Sequence, residues 1–271
     1  MTATRAKPDS LRLRVLSAIV GIPVLVFLVW ASAFTTEFLA AAVTAIALYE
    51  FCRLGPAPMP LAILLLTVAG GLTFVVNAAL GAVYTFPLVT AAVILPLLVT
   101  VLLPRDQRSS VLWAWSVAGM LLIGWTLSLA VLLRLHDHGR EWALLALGLT
   151  FAVDSAAYFF GRAFGKRKLA PTISPGKTWE GSIAGFAAGG VVAALLVTVF
   201  GLGLPWYQAA LLGLVMSIAS QLGDLAESMM KRGAGAKDAG VAVPGHGGLL
   251  DRLDSLIPSF AVLYCFVTYL A

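Results

Sequence analysis

The side chains best suited to chemistry are concentrated in one polar stretch, residues 221–255 of an otherwise apolar chain. It contains five acids, four lysines or arginines, one histidine and seven glycines. The charged members are Asp224, Glu227, Lys231, Arg232, Lys237, Asp238, Asp251, Arg252 and Asp254. Mg²⁺ takes oxygen ligands, typically one or two carboxylates together with substrate phosphates, and lysines neutralise phosphate oxygens. This combination therefore favours a site that binds Mg²⁺ and phosphate.

The glycines around His246 fit the same chemistry. Gly245, Gly247 and Gly248 lack a Cβ, so the backbone there can approach a phosphate closely or turn its N–H groups toward an anion. His246 would either bind phosphate or order the glycine turn, and the residue pattern leaves both roles open.

Composition indicates that the rest of the chain lies in a membrane. Of its 271 residues, 60% are hydrophobic and only 11% are charged, and the mean hydropathy is +0.95. Soluble domains average about 25% charged residues. Because no strand alternation of the membrane-barrel kind recurs, helices are the expected spanning elements. Cys52 and Cys265 are predicted to be buried packing residues rather than a disulfide pair.

Apolar runs predict an all-α, polytopic integral membrane protein with about nine transmembrane helices. The runs cover residues 15–33, 36–51, 61–80, 86–103, 111–133, 142–161, 179–204, 206–230 and 256–271. We expect one transmembrane domain, in which residues 1–140 form scaffold helices and residues 141–271 carry the chemistry with two polar loops, 162–178 and 231–255. Ala31-Ser32-Ala33 resembles a signal-peptidase site, but the first run is long for a signal peptide and is retained as a helix.

Charge placement predicts the orientation of these helices. With the N-terminus in the cytoplasm, sixteen of the eighteen lysines and arginines lie in inside segments, and only Arg134 and Arg140 lie outside. That distribution follows the positive-inside rule. Both long polar loops are then cytoplasmic, where nucleotides are available, and the C-terminus is outside.

Two predicted helices carry polar stripes that run into these loops. Acids inside membrane spans are costly and usually face a cavity or a partner. The acids in or at the ends of spans are Glu50, Asp154, Glu180, Asp224 and Glu227. Polar residues recur every three or four positions at Asp154, Ser155, Tyr158 and Arg162, and again at Ser217, Ser220, Gln221, Asp224, Glu227, Ser228 and Lys231. Such spacing places each set on one helix face. The alternative is that the two stripes only satisfy each other across a helix pair.

Several other motifs can be set aside. Ser174 to Thr178 ends like a phosphate-binding P-loop, but Pro171 stands where that pattern needs glycine. His136-Asp137-His138 lacks further ligands at zinc spacing. Gly181, Gly185 and Gly189 are four apart, which is typical of close helix packing. No module for binding nucleic acid is present.

The polar segments resemble the phosphatidate cytidylyltransferases, also called CDP-diacylglycerol synthases. Residues 228–254 read S-x-x-K-R-x4-K-D-x5-P-G-H-G-G-x2-D-R-x-D, which is similar to the family signature. Residues upstream are similar as well, including Asp154, Gly161-Arg162, Gly165-Lys166 and SPGKTWEG from Ser174 to Gly181. The resemblance covers residues 154–255, and the N-terminal helices match only in general character.

The resemblance implies an enzyme of phospholipid biosynthesis that joins CTP and phosphatidate to give CDP-diacylglycerol and pyrophosphate. It implies dependence on Mg²⁺, an accessory K⁺ ion, and a homodimer in the inner cell membrane with its active site on the cytoplasmic side. It assigns Asp224, Asp251 and Asp254 to the metal. Asp224, Lys231, Lys237, Asp251 and Asp254 would be catalytic. Substrate-binding residues would be Asp154, Ser174, Lys177, Glu180, Arg232, Asp238, His246, Gly247, Gly248 and Arg252. Phosphatidate would enter sideways from the inner leaflet, and CTP from the cytoplasm.

Two other functions stay open at this point. A CTP-dependent kinase or cytidylyltransferase acting on an isoprenoid lipid would share the membrane setting and the phosphate chemistry. A cation-coupled transporter would use Asp154, Asp224 and Glu227 as an ion path, but it predicts acids near mid-membrane and broken helices in related halves.

Overall fold

The computed structural model describes residues 8–102, 109–240, 242 and 247–270, with side chains from Ile19 onward. Its helices are α1 Pro8–Ala31, α2 Ala33–Arg53, α3 Leu61–Ala79, α4 Thr85–Leu102, α5 Ser109–Gly119, α6 Thr126–Leu135, α7 Gly139–Phe164, α8 Trp179–Phe200, α9 Trp206–Gly233, α10 Leu250–Leu253 and α11 Leu256–Tyr269. A π-helical segment, Met120–Trp125, joins α5 to α6, and two short strands, β1 Lys168–Ala170 and β2 Ser174–Thr178, lie between α7 and α8.

The class of polytopic helical membrane protein is confirmed. Within the described part of the chain, seven helices are long and apolar enough to cross a membrane, counting Ser109–Leu135 as one. The two outermost predicted runs are not among these seven. Near the N-terminus, the apolar helix with described side chains is Ile19–Ala31. Helix α11 has 14 residues, about 21 Å at the usual rise, whereas the hydrocarbon core is about 30 Å thick. The count of nine and the cytoplasmic N-terminus therefore stay predictions.

Two features of the chain differ from a simple series of helices and loops. The polar loop 162–178 contains an antiparallel hairpin in which Lys168 pairs with Thr178 and Ala170 with Ser174. The predicted span 111–133 is interrupted by the π-helical segment. There a Cβ on Gly124 would lie 2.5 Å from the Cα of Gly71 in α3, so the two backbones are in direct contact.

Glycines bring α7, α8 and α9 into close contact. A Cβ on Gly181 would lie 2.5 Å from the carbonyl oxygen of Ala157 in α7. One on Gly189 would lie 2.9 Å from the carbonyl oxygen of Gly213 in α9, and Gly185 is similarly close to α7. Since such approaches leave no room for a side chain, the predicted packing role of the three α8 glycines is confirmed. The seam sets the spacing of the helices that carry the polar stripes.

Arg134 and Arg140, which the charge analysis predicts to lie outside, both contact α1. Arg134 donates from Nε to the carbonyl oxygen of Val29 at 3.2 Å. The guanidinium of Arg140 lies 4.6 Å from the ring centroid of Trp30, a distance at which cation–π attraction is significant. Both arginines therefore have a packing role, and their position on the outside stays a prediction.

The main hydrophobic core includes buried residues from both the N-terminal and the C-terminal helices. Phe51 of α2 is stacked on Trp115 of α5 with ring centroids 4.5 Å apart, and the Trp115 indole N–H donates to the Phe51 carbonyl at 2.9 Å. Cys52 beside it is buried and unpaired, as predicted. The same prediction is wrong for Cys265, which is unpaired but exposed because its side of α11 faces away from the bundle.

Candidate active site

Three segments meet at one end of the helix bundle: the C-terminal half of α9, the hairpin after α7, and α10 with the loop before it. The Lys177 ammonium, on β2, lies 2.7 Å from Asp224 Oδ2, on α9, and both side chains are partly exposed. The structure thus brings together the two polar segments that the sequence singles out. Their ion pair lies at an accessible surface, where a phosphate could compete for the lysine.

Three carboxylates share this cleft. Asp154 of α7 is exposed and interacts electrostatically with Asp224. Asp254 follows α10, and its Oδ1 accepts the Ser255 N–H at 2.6 Å. Burial, and after it the charges of Asp224 and Asp154, raise the pKa of Asp254 to about 7. Because like charges at short range disfavour ionisation, the cleft favours a bound cation.

Gly223 allows this gathering of carboxylates. A Cβ at Gly223 would lie 2.2 Å from the carbonyl oxygen of Asp254 and 2.6 Å from Cγ of Pro258. Only a glycine therefore lets α9 approach the α10–α11 junction closely enough to place Asp224 beside Asp254. Sequence analysis did not single out Gly223, because no glycine lies four residues before or after it to indicate a packing face.

Asp251 is the most extensively bonded carboxylate of the site. Its Oδ1 accepts from the Lys231 ammonium at 2.6 Å, and its Oδ2 accepts the backbone N–H groups of Ala239 at 2.9 Å and Gly248 at 2.8 Å. Burial acts to raise the pKa of Asp251, but these hydrogen bonds outweigh it and hold the pKa below the ordinary value. In this arrangement Asp251 orders the loop that precedes α10.

Lys231 is shared between two acids. Besides Asp251 it forms an ion pair with Glu227, one turn earlier on α9, which is only 2% exposed. The lysine thus connects the rigid helix to the loop. Both contacts are with side chains of the protein itself, and the catalytic role that the resemblance implies stays a prediction.

The polar stripe of α9 is divided between helix packing and the site. Gln221 accepts a hydrogen bond from the Ser182 hydroxyl of α8 and donates to the Ser182 carbonyl. Gln221 is therefore satisfied across a helix pair, but its partner lies on α8 and not on the polar stripe of α7. Mutual satisfaction across a helix pair does not describe Asp224, whose ion partner is on the hairpin.

The remaining basic residues surround the cleft. Arg232 donates to the carbonyl oxygens of Ile173 at 3.3 Å and Ala236 at 3.2 Å, and so links α9 to the hairpin turn. Lys237 is exposed on the loop after α9. Arg252, also exposed, interacts electrostatically with Asp154.

Other predicted binding residues occupy varied positions. Glu180, in the first turn of α8, accepts the Arg167 backbone N–H at 3.2 and 3.3 Å, and so faces the base of the hairpin. Ser174 opens β2 and is half-buried. Asp238 is exposed. A Cβ on Gly247 would lie 3.5 Å from the Cβ of Asp238, so the two backbones run close together.

The predicted glycine turn is described in part. His246 lies outside the described residues. Gly247 has φ of +88°, a conformation that favours glycine. The Gly248 N–H points at the Asp251 carboxylate, so the loop amides do bind an anion, but that anion is a side chain of the protein itself.

Glu50 joins the site from the N-terminal half of the chain. It is 4% exposed, and its Oε2 accepts the Leu250 backbone N–H at 2.8 Å, 200 residues away in sequence. Sequence analysis marked Glu50 as an acid in an apolar run but assigned it no partner. The same acid-in-membrane signal would have been enough to include it among the site candidates.

The oxygen donors fit Mg²⁺. Among residues with described side chains, no group of three His, Cys, Asp or Glu residues is close enough to hold a metal on its own. Mg²⁺ usually takes one or two protein carboxylates and completes its shell with water and phosphate oxygens. Asp224 and Asp254 suit that role because, unlike Asp251, neither has both oxygens engaged by strong donors.

Comparisons with known proteins find relatives of this chain. A model of the cytidylyltransferase family matches residues 12–270. The phosphatidate cytidylyltransferase of Brucella suis is 46% identical over 157 residues, 56% of each chain. That of Haemophilus influenzae is 46% identical over 148 residues, 49% of each chain. That of Mycobacterium bovis is 39% identical over 143 residues, 53% of this chain and 46% of the relative. Each match spans about half the length of the curated relative.

Proposed function

The chain belongs to the cytidylyltransferase family, and on that premise we propose that it transfers the cytidylyl group of CTP to phosphatidate, giving CDP-diacylglycerol and pyrophosphate. The observation that carries this proposal is the Lys177–Asp224 ion pair. It joins a lysine and an aspartate from two separate polar segments at one accessible cleft, which supports roles in binding phosphate and metal respectively.

The reaction needs neutralisation of charge more than it needs a base. An oxygen of the lipid phosphate forms a bond to the α-phosphorus of CTP, the bond from that phosphorus to the bridging oxygen breaks, and pyrophosphate leaves with the electron pair. The nucleophile is already an anion, so no side chain has to remove a proton. The barrier lies in bringing two anions together, which positioning and electrostatic stabilisation lower.

The basic residues around the cleft would bind the phosphates. Lys177 would exchange Asp224 for a phosphate oxygen, and Lys237 and Arg252 are exposed and able to contact the triphosphate or the lipid head group. Arg232 would hold the hairpin turn against α9 while its remaining N–H groups face the substrate. Lys231 would stabilise the loop through Asp251, and its predicted catalytic role stays a prediction.

Asp224 and Asp254 would hold Mg²⁺, which would neutralise charge on the phosphates. Asp154 would contribute further negative charge to the same cleft. Asp251 also stays a predicted ligand, but to coordinate the ion it would have to exchange one of its present hydrogen bonds. An accessory K⁺ and a homodimer stay predictions from the family resemblance.

The position of the cleft suits one substrate from water and one from lipid. Two exposed aromatic residues lie on the same segments, Tyr158 one turn after Asp154 and Trp179 two residues after Lys177. Tyr and Trp are enriched where a protein crosses the membrane surface. Phosphatidate would enter sideways between helices, and CTP from the solvent. The distribution of basic residues supports the cytoplasmic side, and the bacterial relatives support the inner membrane.

The two other candidate functions have less support. Transport would require acids along a path across the membrane, whereas Asp154, Asp224 and Asp254 interact within one cleft. An isoprenoid lipid as substrate would suit the same phosphate chemistry, but the curated relatives are named for phosphatidate.

A substrate panel tests the proposal directly. The purified full chain in lipid nanodiscs is given labelled CTP with phosphatidate, diacylglycerol, an isoprenoid alcohol or an isoprenoid phosphate. We expect CDP-diacylglycerol and pyrophosphate in equal amounts, with phosphatidate only. A phosphorylated or cytidylylated isoprenoid would favour the isoprenoid alternative. No product with any lipid would refute the proposed function.

A further inference from the structure

A buried carboxylate outside both polar segments contacts the loop that carries the site. Glu50, near the C-terminal end of α2, is almost fully buried, and its Oε2 accepts the N–H of Leu250, the first residue of α10. Its other oxygen, Oε1, is buried without a hydrogen-bond partner. Burying a carboxylate costs free energy unless it is well hydrogen-bonded. The burial of Glu50 at this contact is therefore destabilising by itself and calls for a functional explanation.

Two described glycines of this loop, Gly240 and Gly248, approach the Glu50 side chain closely. A Cβ on Gly240 would lie 2.2, 2.6 and 2.9 Å from three atoms of the Glu50 side chain, and these are its three nearest neighbours. A Cβ on Gly248 would lie 2.7 Å from Glu50 Oε2 and also 2.7 Å from the backbone nitrogen of Gly240. Both ends of the loop therefore close directly on the Glu50 carboxylate.

The Glu50–Leu250 contact positions the residues proposed to bind phosphate and Mg²⁺. Leu250 precedes Asp251 and Arg252 on α10, and Asp254 follows. On the other side, Asp251 holds the same loop to α9 through Lys231. The loop is thus fastened to α9 by Asp251 and to α2 by Glu50.

We propose that Glu50 is a positioning residue of the active site: its carboxylate, by holding the Leu250 N–H between Gly240 and Gly248, sets the position of α10 and its acids relative to α9. The proposal rests on the proposed function only for its kinetic readout. It gives the N-terminal half of the chain a defined part in the site.

Glu50→Ala tests the role through kinetics and through backbone exchange. Misplacing catalytic groups by about 1 Å can cost on the order of 10²-fold in rate. We expect a loss of that order in kcat, a smaller change in the KM for CTP, and faster deuterium exchange over residues 239–254. Glu50→Gln keeps an oxygen acceptor for the Leu250 N–H and should recover most of the lost turnover. Glu37→Ala, near the opposite end of α2, is the control and should change neither readout.

A double-mutant cycle isolates the contact itself. Gly240→Ala should impair turnover, because its Cβ collides with Glu50, and the same change in a Glu50→Ala background should add little further loss. Gly248→Ala is the matched comparison: in that background it should still impair turnover, since its Cβ also meets the Gly240 backbone. Additive effects of Gly240→Ala and Glu50→Ala would contradict the proposal.

The exchange experiment is performed without substrates, so it separates this proposal from the proposed function. A wild-type chain that makes no CDP-lipid refutes the activity and leaves the exchange test intact. Unchanged exchange over residues 239–254 in Glu50→Ala overturns the positioning role. If Glu50→Ala does not fold, Gly240→Ala alone carries the test, and unchanged exchange and turnover in that variant overturns it.

Discussion

Gly223→Ala is expected to damage the active site by changing the spacing of two helices, without removing any functional side chain. The added methyl group would lie 2.2 Å from the Asp254 carbonyl oxygen, whereas ordinary contacts for such a carbon begin near 3.4 Å. Helix α9 and the α10–α11 junction must therefore separate by about 1.2 Å, the difference between these distances. The added Cβ would also lie 2.6 Å from Cγ of Pro258, so it cannot avoid the clash by moving toward that residue.

The separation acts directly on the pair of acids proposed to hold the metal. Asp224 is the next residue on α9, and Asp254 is the residue contacted. A displacement of roughly 1 Å in catalytic geometry costs on the order of 10²-fold in rate, and overpacking of this kind typically costs about 1–3 kcal/mol in stability. We expect kcat to fall about 100-fold, with the chain still folded.

The assay measures CDP-diacylglycerol formation in nanodiscs, with thermal unfolding measured on the same samples. Gly233→Ala is the matched control, because Gly233 is on the same helix and a Cβ there meets nothing within 4 Å. Its turnover should equal that of the wild type. The expected 100-fold loss corresponds to about 2.7 kcal/mol in activation free energy, since each tenfold in rate is about 1.4 kcal/mol. If folded Gly223→Ala turns over within about twofold of the control, the spacing of α9 and α10 does not limit the reaction and the argument fails.

Three further predictions concern the acids, the metal and the topology. Asp251→Asn should abolish product formation while the chain stays folded, since the amide oxygen can still accept the Ala239 and Gly248 N–H groups; wild-type turnover, measured alongside size-exclusion profiles, would contradict a role for that charge. EDTA should stop CDP-lipid synthesis and added Mg²⁺ should restore it, whereas synthesis that continues in EDTA would exclude the proposed metal. Single cysteines at Gly235 and His138, in a chain whose own cysteines are replaced, should react with impermeant reagents from opposite sides of the membrane. Labelling from the same side would overturn the predicted orientation.

Local sequence patterns were reliable where the structure depends on short-range physics. Apolar runs and polar interruptions depend on the solvent around each segment, so they predicted the positions of the long helices. The four-residue spacing of Gly181, Gly185 and Gly189 predicted close packing for the same reason: residues four apart share a helix face. The hairpin of β1 and β2 was missed because SPGKT reads as a turn, and its pairing depends on contacts with the ends of α7 and α8.

The sequence by itself determined that this is a helical membrane protein with two polar segments rich in acids, cations and glycines. Only the tertiary structure decided which of these side chains meet. Lys177 reaches Asp224, and Glu50 reaches Leu250 across 200 residues, through the packing of helices distant in sequence. Asp251 likewise accepts loop backbone N–H groups with Oδ2 and the Lys231 ammonium with Oδ1. A periodic pattern specifies which face of a helix is polar, but the partner of that face depends on how closely the helices approach, and here glycines set that approach.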